Sequence, residues 1–204
     1  MTDILRKIPS EYKRIAAVIE PNAKVLDLGC GDGSLMYYLS KTKDINAQGI
    51  ELNDSLIYSC VEKGLTVFHS DIEGGIEAYA PKSFDYIILY NSLQEVKKID
   101  FVIEECFRLG KTIIIGFPNF AYITARIDLL FGNSPVTKNL PYQWYNSPNL
   151  RFLSIKDFET FCFEKKYKIA NKFFYKTGKE IKLLPNLFAQ TAVYFITKEL
   201  IAIK

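Results

Sequence analysis

From Lys24 to Phe117, apolar runs of β type alternate with segments of helical period. "KVLDLG" from Lys24 precedes a helix near Asp32–Lys41, and "AQGIEL" from Ala47 precedes one near Asp54–Lys63. "LTVFHS" from Leu65 passes through a turn-rich "DIEGG" to "FDYIILYN" from Phe84. A helix near Ile99–Leu109 then leads to "KTIIIGF" from Lys111. The strand runs are apolar throughout rather than alternating, the pattern of parallel strands covered by helices on both faces. Strand and helix in turn predict an α/β fold with a doubly wound, Rossmann-like sheet. A ligand of such a sheet sits outside the carboxyl ends of its strands.

After Phe117 the rhythm breaks. "PNFAYITARIDLLFGNSPVTKNLPYQWYNSPNLRF" starts helically, then interleaves aromatic residues with Gly, Asn, Ser and four prolines counted from Pro118. It reads as a helix plus an ordered loop over the carboxyl edge of the sheet, an insertion at about 119–150. "SIKDFETFCFEKKY" follows, an amphipathic helix with Ser154 at its N-cap. Two β-like runs come last, Lys168–Lys176 and Ala192–Lys198, and their long link allows an antiparallel C-terminal strand. Residues 1–204 are expected to form a single domain, with no internal repeat and no low-complexity tract.

Composition narrows the partners. At 204 residues, 49% apolar and 24% charged, the chain suits one domain with a sizeable core. A net charge of +3 is too mild for a nucleic-acid binder, which concentrates basic residues in a stripe. The lysines of "KYKIANKFFYKTGKEIK" fit the solvated face of a strand pair. The segment "MTDILRKIPSEYKRIAAVIE" is charged throughout and lacks the apolar core of a signal peptide. No apolar run approaches the roughly 20 residues that cross a bilayer, so no membrane association is expected. Cys30, Cys60, Cys106 and Cys162 form no CxxC pair and have only His69 to help them. No metal site is expected, and reduced, buried thiols in a cytoplasmic protein are.

The chemistry concentrates in "VLDLGCGDGSL" from Val25. Glycines after a first strand let main-chain N–H groups approach a nucleotide without a Cβ in the way. The dinucleotide fingerprint G-x-G-x-x-G would need a glycine where Ser34 stands. Asp27 followed by Gly29-Cys30-Gly31-Asp32-Gly33 is instead the first motif of class I methyltransferases that use S-adenosylmethionine. The physical reason is charge. A pyrophosphate is repelled by Asp27 and Asp32, whereas an aminoacyl sulfonium is attracted by them.

Later strand ends repeat the pattern. Glu51 closes the second strand, where a carboxylate can accept both ribose hydroxyls. Asp71 follows the third strand and can accept from the adenine amino group, with Leu52 and Ile72 offering apolar faces to the ring. Asn91 follows the fourth strand, where the methionine half should pass. Each alone is a capping or turn-forming residue. Together they predict S-adenosyl-L-methionine, or its product S-adenosyl-L-homocysteine, as the cofactor.

Beyond this half the chain resembles one family, the MetW proteins of bacterial methionine biosynthesis. The resembling stretches include "GIEL", "SFDYIILYNSLQEV", "LPNLFAQTAVY" and the long block from Val102 to Cys162, together spanning Val25 to Tyr194. The block with Pro118-Asn119-Phe120, Pro135-Val136-Thr137, Leu140-Pro141-Tyr142 and Trp144-Tyr145 is the specific part, because generic methyltransferases lack it. The resemblance implies a class I methyltransferase-like fold and a role in methionine synthesis. It also implies a partner, homoserine O-acyltransferase, beside which family members are usually encoded and which they support. It implies no particular methyl acceptor. The C-terminal third departs from the family pattern in its richness in Lys, Tyr and Phe.

No residue declares itself catalytic. His69 fits a turn or surface position. Tyr90, Asn119, Tyr142, Trp144 and Tyr145 are the candidates for touching an acceptor or forming a lid. "FPNF" is only loosely similar to the Asn/Asp-Pro-Pro-aromatic motif of amino-group methylases: it has one proline and reversed order, and it follows the fifth strand. Two readings stand, a small-molecule methyltransferase and an accessory subunit that binds the cofactor. The direction of Tyr142, Trp144 and Tyr145 separates them: toward the cofactor for an enzyme, outward for a partner surface.

Overall fold

In a computed structural model, which describes residues 8–198, the chain builds an eight-stranded sheet. Residues 1–7 of the N-terminal segment and residues 199–204 of the expected domain lie outside the described residues. The strands are β1 (Lys24–Leu28), β2 (Asn46–Glu51), β3 (Thr66–His69), β4 (Phe84–Tyr90), β5 (Gly110–Pro118), β6 (Tyr167–Lys176), β7 (Lys179–Glu180) and β8 (Thr191–Lys198). Their order is β3-β2-β1-β4-β5-β8-β6-β7. The first five are parallel, and β8 runs antiparallel to both β5 and β6. This is the expected doubly wound sheet with an antiparallel C-terminal strand. The order reverses at β1, which pairs with β2 on one side and β4 on the other, so a crevice opens at their carboxyl ends.

The helices are α1 (Ser10–Val18), α2 (Ser34–Lys43), α3 (Asp54–Glu62), α4 (Ile72–Gly75), α5 (Ile99–Leu109), α6 (Ile123–Leu130), α7 (Ile155–Glu164) and α8 (Pro185–Phe188). Side chains alternate across each strand, and both faces are covered. Leu26, Ile113, Ile115 and Phe117 pack with Val102, Ile103 and Phe158 from α5 and α7. Val25, Ile114 and Phe195 pack with Ile15, Leu35 and Leu39 from α1 and α2. That double coverage is why the strand runs contain no polar alternation.

Three elements depart from the hydrophobic pattern. β3 is largely exposed because it is a sheet edge with one neighbour. The "DIEGG" turn winds into α4 and a further 3₁₀ turn at Ile76–Ala78, started by the Asp71 side chain accepting from Glu73 N at 3.3 Å. The charged N-terminal segment contains α1, whose buried Ile15 and Ala16 form a narrow apolar stripe. The link between β6 and β8 is filled by the short strand β7 and by α8. Lys168, Lys172 and Lys176 are exposed along β6, the solvated face that its composition suggests.

α7 begins with a full capping box. Ser154 Oγ accepts from Asp157 N at 3.2 Å, and Asp157 Oδ2 accepts from Ser154 N at 3.1 Å. Ser154→Ala removes one half of it and is expected to cost about 1 kcal/mol in urea unfolding. An unchanged midpoint would show that the cap carries no stability.

Candidate functional site

The glycine turn leaves β1 with Gly29, Gly31 and Gly33 all at positive φ. The positive φ disfavours a side chain at each, and the surroundings of two of them differ. A Cβ on Gly33 would come within 2.5 Å of Leu65 Cδ1 and 2.8 Å of Cys60 Sγ, so the turn lies tight against α3. A Cβ on Gly31 would meet nothing within 4 Å, because that residue borders the open crevice. Its N–H is held by Glu51 Oε2 at 2.8 Å, while Glu51 Oε1 accepts from Leu52 N and Asn53 N, each at 2.9 Å. The end of β2 is thereby locked to the turn after β1.

Around this turn lies a cleft of about 660 Å³. Of the sequence-predicted residues, Asp27, Gly29, Cys30, Gly31, Glu51, Leu52, Asp71, Ile72, Asn91, Tyr90 and Tyr142 line it. Gly33 packs beneath α3 instead. Asn119, Trp144 and Tyr145 are not brought to the cleft. The Asn119 side chain is buried at the end of β5, donating to Ala189 O at 2.9 Å and accepting from Ala121 N at 3.1 Å. It ties β5 to α8 and the start of α7, a structural post with no capacity left for a substrate. Trp144 and Tyr145 are 77% and 69% exposed and stand edge to face, 5.7 Å apart. His69 lies outside the cleft, at the end of β3, 3.5 Å from the exposed Asp54.

The cleft is acidic. Asp27, Asp32, Glu51, Asp71, Glu73 and Glu95 contribute carboxylates, and among the described residues Lys97 is the single lysine in the lining. Most of these groups are already engaged. Asp32 accepts from Ser34 and pairs with Lys63 at 3.2 Å, and these contacts outweigh its partial burial to hold its carboxyl below the usual range. Glu73 Oε1 accepts from Lys97 N and Lys98 N at 2.8 and 3.0 Å.

Asp27 differs. It is 2% exposed, and its Oδ1 is buried with no hydrogen-bond partner among the described residues. Burial, aided by the nearby Glu51 carboxylate, raises its pKa to about 7. An orphaned carboxylate on a cleft wall is costly unless a donor or cation meets it there. The arrangement as a whole suits a cationic ligand with hydroxyls and disfavours a phosphate.

Sequence reading missed Tyr12, Ser92, Glu95, Val96 and Pro148 in this lining. Tyr12 comes from α1 and meets the Tyr90 ring edge-on at 5.5 Å. Its signal was the helical spacing of "EYKRIAAV", hidden by the charge of that segment. Ser92 donates to Leu28 O at 2.6 Å and so braces β1 against the turn after β4. Nothing local in "NSLQEV" marks that contact.

The fold is shared with solved methyltransferases. One is an S-adenosylmethionine-dependent methyltransferase from Archaeoglobus fulgidus, with a TM-score of 0.70 at 16% identity over 93% of this chain and 92% of that one. Another is a putative S-adenosylmethionine-dependent methyltransferase from Listeria monocytogenes, with a TM-score of 0.68 at 16% identity over 93% and 97%. The chain therefore has the Rossmann-like fold of class I methyltransferases. Residues 9–196 match the family described as methionine biosynthesis protein MetW, and the chain belongs to that family. Its role lies in methionine biosynthesis. A curated relative, the bifunctional methionine biosynthesis protein MetXA/MetW of Rhodopirellula baltica, is 30% identical over 212 residues covering 97% of this chain. The chain spans only 34% of that relative's length. Among the described residues no helix is long and apolar enough to cross a membrane, and no cluster of three or more His, Cys, Asp or Glu residues is placed to hold a metal. Cys30, Cys60, Cys106 and Cys162 are free and buried.

Proposed function

We propose that the chain binds S-adenosylmethionine or S-adenosylhomocysteine in the acidic cleft and acts as an accessory subunit of homoserine O-acyltransferase. The residues present fit the cofactor. Asp27 would meet the ligand's ammonium, Glu51 its ribose hydroxyls, and Asp71, Leu52 and Ile72 its adenine, with the Gly29–Gly33 turn alongside. The cofactor's own chemistry is an activated methyl on a sulfonium. The chain's residues bind and orient it within one domain whose insertion, about 119–150, forms part of the wall.

The observation that carries the accessory reading is the direction of the aromatic block. Tyr142 alone borders the cleft, while Trp144 and Tyr145 face outward as an exposed aromatic pair. Exposed aromatic side chains of this kind are enriched in interface cores. The Rhodopirellula baltica relative supports the pairing, because its name joins a MetXA part and a MetW part in one chain. Mixing the chain with its cognate homoserine O-acyltransferase is expected to give a complex on size exclusion and a higher acyltransferase rate. No complex and no change in rate would refute the accessory reading.

A second reading, methyl transfer to a small molecule, is favoured by Tyr12, Tyr90 and Tyr142 gathered on the cleft wall. Positioning alone can support such a transfer. Burial holds the Tyr12 and Tyr90 hydroxyls protonated well above their ordinary range, so neither is poised as a base. Release of S-adenosylhomocysteine on adding an acceptor would favour this reading.

A further inference from the structure

Residues 141–149 form a strap held at its two ends. Upstream, Thr137 and Leu140 pair backbone to backbone, and Asn139 Nδ2 donates to Thr191 Oγ1 on β8 at 2.6 Å. Downstream, Leu150 N and Arg151 N both donate to Gln94 O, at 2.9 and 3.0 Å. Between these anchors, the hydrogen bonds made by backbone N–H groups among the described residues stay within the strap: Asn146 N to Gln143 O and Asn149 N to Ser147 Oγ. Almost every residue of it is exposed. A segment with so few buried contacts and no backbone bonds to the sheet opens and shifts at little cost.

Its two faces look at different things. Tyr142 and Pro148 line the acidic cleft, whereas Trp144 and Tyr145, two and three residues past Tyr142, are largely exposed outside it. Trp144 borders a smaller cavity of about 120 Å³ that Tyr142 also lines. The downstream anchor is also part of the cleft's surroundings. Gln94 Nε2 donates to Asn91 O at 2.6 Å, and Asn91, Ser92, Glu95 and Val96 around it line the cleft. A ligand therefore touches the strap directly at Tyr142 and Pro148 and indirectly through the turn that holds Leu150. Pro141 and Pro148 fix φ near both ends, so a displacement of Tyr142 is passed along rather than absorbed there.

We propose that this strap reads the cleft: a ligand against Tyr142 and Pro148 sets how Trp144 and Tyr145 are presented to the homoserine O-acyltransferase of the accessory reading. The inference rests on the reading that the cleft takes S-adenosylmethionine or S-adenosylhomocysteine, and it makes that ligand a signal as well as a cofactor. By linkage, a partner docked on Trp144 and Tyr145 alters the ligand's affinity by the same factor by which the ligand alters the partner's.

Trp144 is the only tryptophan of the chain, so its emission reports on the strap alone. S-adenosylhomocysteine is titrated into the full chain while binding heat, Trp144 emission and acrylamide quenching are followed together. A saturable emission change with the calorimetric midpoint supports the proposal. So does chymotryptic cleavage after Tyr142, Trp144 and Tyr145 that the ligand alters by about fivefold or more. Binding heat with unchanged emission, quenching and cleavage overturns the strap proposal and leaves the cofactor reading standing. Absence of binding heat overturns both. In Tyr142→Ala the emission change per bound ligand is expected to fall by more than half. Full amplitude in that variant overturns Tyr142 as the route.

Discussion

Asp27→Asn is expected to weaken S-adenosylmethionine binding about a hundredfold at pH 8, the scale for removing one member of a buried charge pair. The same variant should lose the pH dependence of binding. Asp27 titrates in the folded chain near pH 7, raised from its ordinary 3.8 by burial and by Glu51. A cationic ligand takes the ionised form, so below pH 7 binding must first remove a proton. The unsubstituted chain should bind about tenfold more weakly at pH 6 than at pH 8, and the variant about equally at both. Tyr12 and Cys30 also sense the Asp27 charge, but both stay protonated across this range because burial raises them. Calorimetry at the two pH values checks the prediction, and equal affinities of the two proteins at pH 8 would remove Asp27 from the site.

The same carboxyl should be visible in stability without ligand. Its folded pKa lies above its unfolded one, so the folded state binds the proton more tightly. Stability then falls as pH rises from about 4 to about 7, by up to about 4 kcal/mol. Asp27→Asn removes that slope and should leave the free chain more stable than the unsubstituted one at pH 8. A residue that stabilises when neutralised yet weakens binding is the mark of a charge kept for a ligand.

Phe117→Ala is the substitution expected to damage the fold most, by about 4 kcal/mol in urea unfolding. Phe117 is fully buried on β5 at the seam where β8 joins. Its ring stacks on Tyr194 at 5.9 Å and tilts against Phe158 at 5.2 Å. Tyr194 is itself held by its hydroxyl to Glu159 Oε1 at 3.0 Å, and Phe158 lies 4.7 Å from Tyr194. These fixed rings cannot close over the space left, so the cavity cost adds to the lost transfer energy. Total stabilities of 5–15 kcal/mol make such a loss a large fraction of what holds the chain folded. A loss below about 1 kcal/mol would show that the α7 side of the sheet repacks freely.

Strands were legible in the sequence because burial on both faces writes itself as unbroken apolar runs. "FDYIILYN" and "KTIIIGF" could be nothing else in that context. The glycine turn was legible because positive φ and close approach select one residue type. The helix α1 was not, since its buried stripe is narrow among charges. Nor was the role of Asn119, whose partners Ala189 and Ala121 are backbone groups brought to it only by the folded chain. Trp144 and Tyr142 look alike in sequence. That Tyr142 reaches the acidic cleft and Trp144 does not depends on a strap pinned by Thr191 and Gln94, residues distant along the chain.

The position of β8 has a consequence for the order in which the chain is made. β5 finds its antiparallel neighbour only when Thr191–Lys198 emerges from the ribosome, about 75 residues later than β5 itself. Until then the apolar stretch Ile113–Pro118 presents an unpaired edge, and β6 has only the two-residue β7 to pair with. The last stretch of the sheet to be synthesised thus closes its most aggregation-prone gap. It also brings Thr191, to which the upstream end of the strap is fastened, so the glycine turn is synthesised long before the surface above it has its second anchor.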